Sequence, residues 1–115
     1  MNKIGSYDFG SIVIDGKTYR SDIIVSADKL QPNWRREEGH SLTIADIQEI
    51  IGEKCKILVI GTGYFGAMVV PPETMKHIGS LGIEIIAQKT PEAVETCNKL
   101  LEEGQEVIGA FHLTC

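Results

Sequence analysis

The stretch Cys55-Lys56-Ile57-Leu58-Val59-Ile60-Gly61-Thr62-Gly63-Tyr64-Phe65-Gly66 decides the fold of this chain. Its first half is a short apolar run, typical of a strand that is buried on both faces of a parallel sheet. Its second half spells GxGxxG, the fingerprint of dinucleotide-binding turns. In that fingerprint the glycines lead directly into a helix, whereas Met68-Val69-Val70 predicts extended chain and Pro71-Pro72 prevents a continuous helix. The glycines therefore predict a tight turn after a strand more securely than a nucleotide site.

Helical and strand patterns alternate around this turn. Because each strand is followed by a helix and a further strand, the crossover rule predicts three parallel strands that are neighbours or near-neighbours. The predicted elements are a helix from the N-cap Thr43 to Gly52, a strand over 56–60, a helix from Pro72-Glu73 to Gly82, a strand over 83–87, a helix from the N-cap Thr90 with Pro91 at its first position to Gly104, and a strand over 107–113.

The first half of the chain predicts a β-hairpin. Ile12-Val13-Ile14 leads into Asp15-Gly16, which favours a type I′ turn, and the chain returns through Thr18-Tyr19 toward residues 23–25. Residues 26–42 have no clear periodicity and predict a long irregular segment. We expect the hairpin to add antiparallel strands to the parallel ones. The chain therefore predicts an α/β, three-layer fold with a mixed central sheet, as one domain over residues 1–115.

Charge and hydropathy exclude several classes of function. The 115 residues have a formal net charge of −5, which disfavours a nucleic-acid partner because phosphate binding needs a basic stripe. No apolar run approaches the ~20 residues that cross a bilayer, so we expect no membrane association. Because the N-terminal residues lack a signal-peptide core, the predicted location is the cytoplasm. The hairpin leaves a sheet edge, which makes homo-oligomers conceivable.

The cysteines and histidines show no metal-binding spacing. Cys55, Cys97 and Cys115 form no CxxC pair, so neither a zinc knuckle nor a disulfide framework is predicted. We expect no metal and no cofactor.

One edge of the sheet carries the candidate site. Ligands of parallel sheets favour the crevice beyond the carboxyl ends of the strands. The Gly61–Gly66 turn, residues 88–90 and residues 112–115 should meet there, and the polar loop that carries residues 34–40 can cover the same edge. Backbone N–H groups, guanidiniums and imidazoles suit a small anion there. The candidate residues are Trp34, Arg35, Arg36, His40, Gly61, Thr62, Gly63, His112, Thr114 and Cys115.

Each candidate also has a purely structural interpretation. The glycines could form an ordinary turn, Trp34 could anchor its loop by packing, and His112 could be a core histidine. Arg35 and Arg36 could pair with the adjacent Glu37 and Glu38 on the surface. A cysteine enzyme would need Cys115 to meet His40 or His112, because a thiolate nucleophile needs an adjacent base.

Several motifs together resemble a family of small single-domain proteins. They are the Asp15-Gly16 hairpin, Trp34-Arg35 with His40-Ser41, the run 58–63, Gly82-Ile83-Glu84, Thr90 with Ala93-Val94 and Asn98, and the closing run 111–115. The family includes an adipogenesis-associated Mth-domain protein and a mitochondrial complex I assembly factor, and its prokaryotic members are mostly hypothetical proteins. The resemblance covers nearly the whole chain and implies a three-layer α/β fold with a mixed sheet. It implies no catalytic residues.

Three functions follow as hypotheses. The first is a non-catalytic protein-interaction or assembly-helper domain, because no acid–base or nucleophile–base pair stands at a credible spacing. The second is binding of a small anion or nucleotide at the Gly61–Gly66 turn, with Arg35 or Arg36. The third is an enzyme that uses Cys115 with a histidine.

Overall fold

The computed structural model describes residues 2–36, 40–51 and 55–115. These residues form eight strands and three helices. In chain order they are β1 (Ile4–Asp8), β2 (Ser11–Ile14), β3 (Lys17–Tyr19), β4 (Ile23–Ser26), β5 (Leu30–Pro32), α1 (Ile44–Ile50), β6 (Ile57–Gly61), α2 (Pro72–Ser80), β7 (Glu84–Gln88), α3 (Thr90–Glu102) and β8 (Val107–Phe111). No helix among the described residues is both long and apolar enough to cross a membrane.

The central sheet is mixed and has the strand order β5-β4-β8-β6-β7. Strands β6, β7 and β8 run parallel, with Val59 opposite both Ile86 and Gly109. Strand β4 runs antiparallel to β8 and to β5. The mixed α/β fold and its parallel half are therefore confirmed. The parallel strands place their carboxyl ends at one edge, where the candidate site was predicted.

The predicted hairpin lies in a second sheet of order β1-β2-β3. Asp15 and Gly16 have φ of 51° and 80°, so the turn has the two left-handed residues of type I′. The antiparallel strands of the central sheet are β4 and β5 instead. The burial patterns explain this, because β2 buries only alternate residues whereas Ile23, Ile24 and Val25 are all buried. Strand β4 thus needs cover on both faces, and β2 on one.

The other differences from the sequence predictions are local. The segment 26–42 contains a short strand, β5, which pairs with β4. The capping box of Thr43 and Asp46 is confirmed, whereas the predicted stop at Gly52 lies outside the described residues. Lys89 is the N-cap of α3, so the prediction that Thr90 caps this helix is wrong. The last strand ends at Phe111, two residues earlier than predicted.

Two apolar clusters fill the spaces on either side of the central sheet. The first joins the hairpin sheet and α3 to one face, and the second joins α1 and α2 to the other. Cys97 belongs to the first cluster, and burial raises the pKa of its thiol to about 12. Burial also raises the pKa of the Cys55 thiol, in the second cluster. Both thiols are therefore packing groups.

Candidate functional site

The glycine turn after β6 is in close contact with the segment that follows β8. Gly63 has a φ of +108°, and a β-carbon on it would lie 2.6 Å from the Cys115 carbonyl oxygen and 2.8 Å from that of Thr114. A β-carbon on Gly61 would lie 2.8 Å from the Thr90 hydroxyl oxygen. Real β-carbons do not approach other atoms so closely. These two glycines are therefore required by the close approach of backbone segments.

The backbone N–H groups of the turn donate to the protein itself. The Thr62 N–H donates to the Gln88 carbonyl at 2.9 Å, and its hydroxyl donates to the same oxygen at 3.1 Å. The Tyr64 N–H donates to Thr114 O at 2.7 Å, and the Ala67 N–H donates to Cys115 O at 3.0 Å. A phosphate cradle needs N–H groups that point at the ligand. Here the Thr62 donors bond to β7, and the Tyr64 and Ala67 N–H groups bond to the segment after β8.

Thr90 joins the glycine turn to the segment after β8. Its buried hydroxyl accepts from the Gly63 N–H at 2.8 Å and donates to the His112 carbonyl at 2.6 Å. Its own N–H donates to Gly63 O at 3.0 Å. These bonds use the hydroxyl that a cap would direct at the helix N-terminus, which explains why Thr90 does not cap α3. The threonine instead fixes the distance between two strand ends.

A second group of side chains, here called the Asp22 cluster, consists of Asp22, Trp34, Arg36 and His112. The Asp22 Oδ2 atom lies 2.9 Å from Arg36 Nη1 and 2.8 Å from His112 Nδ1. Its Oδ1 atom accepts from the Leu113 N–H at 2.8 Å. The Arg36 guanidinium also stacks 4.6 Å above the Trp34 ring and is 95% buried. The cluster thus ties the start of β4 to the loop after β5 and to the end of β8.

The electrostatics of the cluster centre on the carboxylate. Burial of Asp22 opposes its ionisation, but hydrogen bonds from His112, the Leu113 N–H and Arg36 outweigh burial, so the pKa of Asp22 lies below its usual range. His112 Nδ1 lies 2.8 Å from Asp22 Oδ2, which only accepts, and 3.1 Å from Arg36 Nη2, which only donates, so this ring nitrogen stands between an acceptor and a donor. The His112 Nε2 and Trp34 Nε1 atoms are buried and have no hydrogen-bond partner among the described residues.

The structure brings some of the predicted site residues together and leaves others apart. Trp34, Arg36 and His112 are in one cluster, and the His40 ring lies edge-on to the His112 ring at 5.7 Å. Arg35 is exposed. The alternative pairing of the arginines with residues 37 and 38 lies outside the described residues. Trp34 is 4% exposed, which agrees with a packing anchor.

Cys115 contributes backbone contacts to the glycine turn. Its carbonyl accepts from Ala67, and its thiol is exposed. Among residues 2–36, 40–51 and 55–115, no contact joins this thiol to His40 or His112. In the same part of the chain, no three His, Cys, Asp or Glu side chains are placed to hold a metal ion.

Four aromatic side chains form a surface that we call the aromatic patch: Tyr7, Phe9, Tyr64 and Phe65. Phe9, Tyr64 and Phe65 are 48%, 40% and 69% exposed. Tyr64 lies 5.0 Å from Phe65 and 5.9 Å from Phe9, both edge-on. The Tyr7 hydroxyl donates to Leu113 O at 2.6 Å, and burial with nearby negative groups raises its pKa to about 12. The patch thus joins the tip of the β1–β2 turn to the glycine turn.

Sequence reasoning missed Asp22 and the aromatic patch. Asp22 directly precedes the apolar strand β4, and its antiparallel pairing with β8 places it beside His112. Only that pairing, which the sequence left open, brings the carboxylate to this edge. The patch had a local indication, because Phe9 and Tyr64-Phe65 stand beside turn glycines, where a side chain rarely enters the core.

The fold and these contacts define a mixed α/β domain whose ligand-prone sheet edge is closed by its own chain. The chain belongs to the family described as protein of unknown function (DUF498/DUF598), whose model matches residues 4–112. The predicted resemblance to small, mostly hypothetical Mth-domain proteins is confirmed.

Solved structures of similar proteins share this fold over almost the whole chain. A conserved hypothetical protein from Pyrococcus horikoshii OT3 is 28% identical, with 98% of this chain and 99% of that chain covered and a TM-score of 0.78. A protein named MT938 is also 28% identical, is covered completely in both chains and has a TM-score of 0.79. A Bordetella pertussis protein with a Mth938-like domain, 18% identical over 97% and 85% of the two chains with a TM-score of 0.78, shows the fold alone.

Proposed function

We propose that this chain is a non-catalytic protein-interaction domain and that the aromatic patch is its contact surface. The observation that carries the proposal is the exposure of three adjacent rings, Phe9, Tyr64 and Phe65, on one side of the molecule. Aromatic side chains are enriched in the cores of protein interfaces and supply much of their binding energy. A soluble protein exposes contiguous apolar surface of this kind mainly where another molecule covers it.

The patch is built rigidly, which supports a binding role. The Tyr64 N–H donates to Thr114 O and so fixes the turn that carries Tyr64 and Phe65, and Tyr7 is fixed by its bond to Leu113. The edge-on contacts between rings further restrict their rotation. A partner would therefore find the rings already in position, which lowers the entropy lost on binding.

The Asp22 cluster supports a structural role for the edge where chemistry was expected. The Asp22 carboxylate contacts Arg36, His112 and the Leu113 N–H, which lie on two other segments of the chain. Asp22 does direct an oxygen at a histidine, but His112 is only 6% exposed, whereas a histidine that acts on a substrate must face it. The cluster holds three chain segments together.

Site-specific photocrosslinking in the native host tests the proposal. A photoreactive phenylalanine analogue replaces Phe65, and in a control chain it replaces Leu81, which is 51% exposed and distant in sequence from the patch. We expect a defined crosslinked polypeptide from position 65 only, and we expect its loss when Phe9 and Tyr64 are both changed to serine. The proposal is overturned if the two positions give the same products, or if position 65 gives none.

Binding of a small anion is the second candidate function. It is supported by the buried Trp34 Nε1 donor, which has no hydrogen-bond partner among the described residues and belongs to the cluster of the Arg36 guanidinium. Thermal unfolding against phosphate, sulfate and nucleotides tests it, because a ligand at 100 times its dissociation constant adds about 2.7 kcal/mol. A flat series rejects this candidate. A rise in melting temperature that is lost in Trp34→Phe supports it.

A further inference from the structure

A groove of about 270 Å³ lies between β1 and α3. It is lined by residues 4–7 of the strand and by Pro91, Val94, Glu95 and Asn98 of the helix. Tyr7 belongs both to this lining and to the patch. The groove and the patch are therefore adjacent at Tyr7, whose ring centroid lies 6.4 Å from that of Tyr64.

The lining of the groove combines apolar surface with acceptor groups. Tyr7, Pro91 and Val94 supply carbon surface, while the exposed Glu95 supplies a carboxylate. The Asn98 side-chain oxygen already accepts from the Ile4 N–H at 3.1 Å, so the strand edge is closed at that end. Such a groove suits a side chain that has an apolar stem and a cationic head, which is the form of lysine and arginine.

The charge around the surface favours a cation. Asp8 directly follows the lining residue Tyr7 in the chain. Among the described lining residues, Glu95 is the charged one and none is a cation. The whole chain has a formal charge of −5, which also attracts a basic partner. Ring faces of the patch add attraction for a cation through their quadrupole.

The size of the surface favours a short segment over a folded partner or a second copy. The three exposed rings present roughly 300 Å² if a whole aromatic side chain presents about 200 Å². A stable interface buries about 800 Å² on each partner, and the rings supply less than half of that area, which a short segment can cover. The groove holds the volume of about nine waters at ~30 Å³ each, which is room for one long side chain.

We propose that the partner contributes a short segment in which a lysine or arginine stands next to an apolar or aromatic residue. The cationic side chain lies in the groove with its head at Glu95, and the apolar residue covers Phe9, Tyr64 and Phe65. This inference rests on the proposed function, because it takes the patch as the contact surface, and it adds the chemistry of the partner.

Selection from a random peptide display library on the full chain tests the inference. We expect the recovered peptides to combine a lysine or arginine with an adjacent apolar residue. Glu95→Lys should weaken a recovered peptide about tenfold, since the change replaces an attraction by a repulsion. The control, Glu102→Lys, reverses a charge two turns further along α3 and outside the groove, and should leave the affinity unchanged.

Each outcome decides the question. Peptides without a basic residue, peptides insensitive to Glu95→Lys, or no recovered peptide overturn the inference. If Phe65→Ser weakens a peptide that Glu95→Lys does not affect, the patch is a contact surface and the groove is not. If the chain sediments as a dimer that Phe65→Ser converts to a monomer, the occupant is a second copy and the inference is overturned. Photocrosslinking at position 65 reports on the proposed function independently of all these results.

Discussion

Gly63 should be far less replaceable than a glycine of similar backbone conformation elsewhere in the chain. A residue other than glycine at φ +108° is strained by about 1–2 kcal/mol. In addition, a β-carbon at this position would displace the carbonyls of Thr114 and Cys115. Those carbonyls accept from Tyr64 and Ala67, and each lost bond costs about 1 kcal/mol. We therefore expect Gly63→Ala to lower the free energy of unfolding by about 3–4 kcal/mol.

Gly82 provides the matched control. Its φ is +76°, but no atom lies within 4 Å of the position that a β-carbon would occupy. Gly82→Ala should therefore destabilise by about 1–2 kcal/mol, through backbone strain alone. The difference between the two variants isolates the contact with the chain's last segment. It amounts to about 2 kcal/mol, or roughly 8 °C in melting temperature for a domain of this size.

Urea and thermal unfolding of both variants, followed by far-ultraviolet circular dichroism, measure this difference. Equal destabilisation by the two substitutions would refute the argument that the turn is closed by the segment after β8. A Gly63 variant that keeps its full stability but loses stabilisation by phosphate would contradict it more directly, because the turn would then serve an anion.

Three further predictions follow from the burial and bonding of single side chains. Asp22→Asn should destabilise the protein by about 3 kcal/mol at neutral pH, because it removes the carboxylate that pairs with the buried Arg36 side chain. Because folding lowers the Asp22 pKa, this contribution is present above about pH 4 and is lost as the pH falls through the folded-state pKa, so urea unfolding in acid should show the two proteins converging. Cys115 should be alkylated in the folded protein because its thiol is exposed, whereas Cys97 should react only as the protein unfolds; equal rates by mass spectrometry would contradict the burial of Cys97. Phe65→Ser should change stability by less than about 0.5 kcal/mol, but Phe111→Ala by about 3–5 kcal/mol, and a large effect at Phe65 would show that this ring belongs to the core.

The parallel half of the fold could be predicted because its information is local. Each helix carries its own start and stop, such as the Thr43–Asp46 capping box, and the crossover rule then orients the strands. The type I′ turn at Asp15-Gly16 was equally local. The layer against which the hairpin packs could not be predicted in this way. Alternation along β2 indicates one buried face but does not identify the element that covers it.

The candidate site was predicted in position but not in its bonding. Trp34, Arg36 and His112 do meet beyond the strand ends, and Asp22 joins them through antiparallel pairing that no local pattern specifies. The glycine turn shows the same limit. Its spacing indicates a close approach of backbone, but only the structure identifies the approaching group as the segment after β8.

Trp34 is the only tryptophan of the chain, and it lies under the Arg36 guanidinium. Its fluorescence therefore comes from a single, defined place, where β4, the loop after β5 and the end of β8 converge. The aromatic patch contains only phenylalanine and tyrosine. A partner that lacks tryptophan therefore adds no indole emission to that of Trp34. Selective excitation of the indole therefore reports on the Asp22 cluster without any added label. The rate at which the sheet edge opens can be measured from the change in this emission.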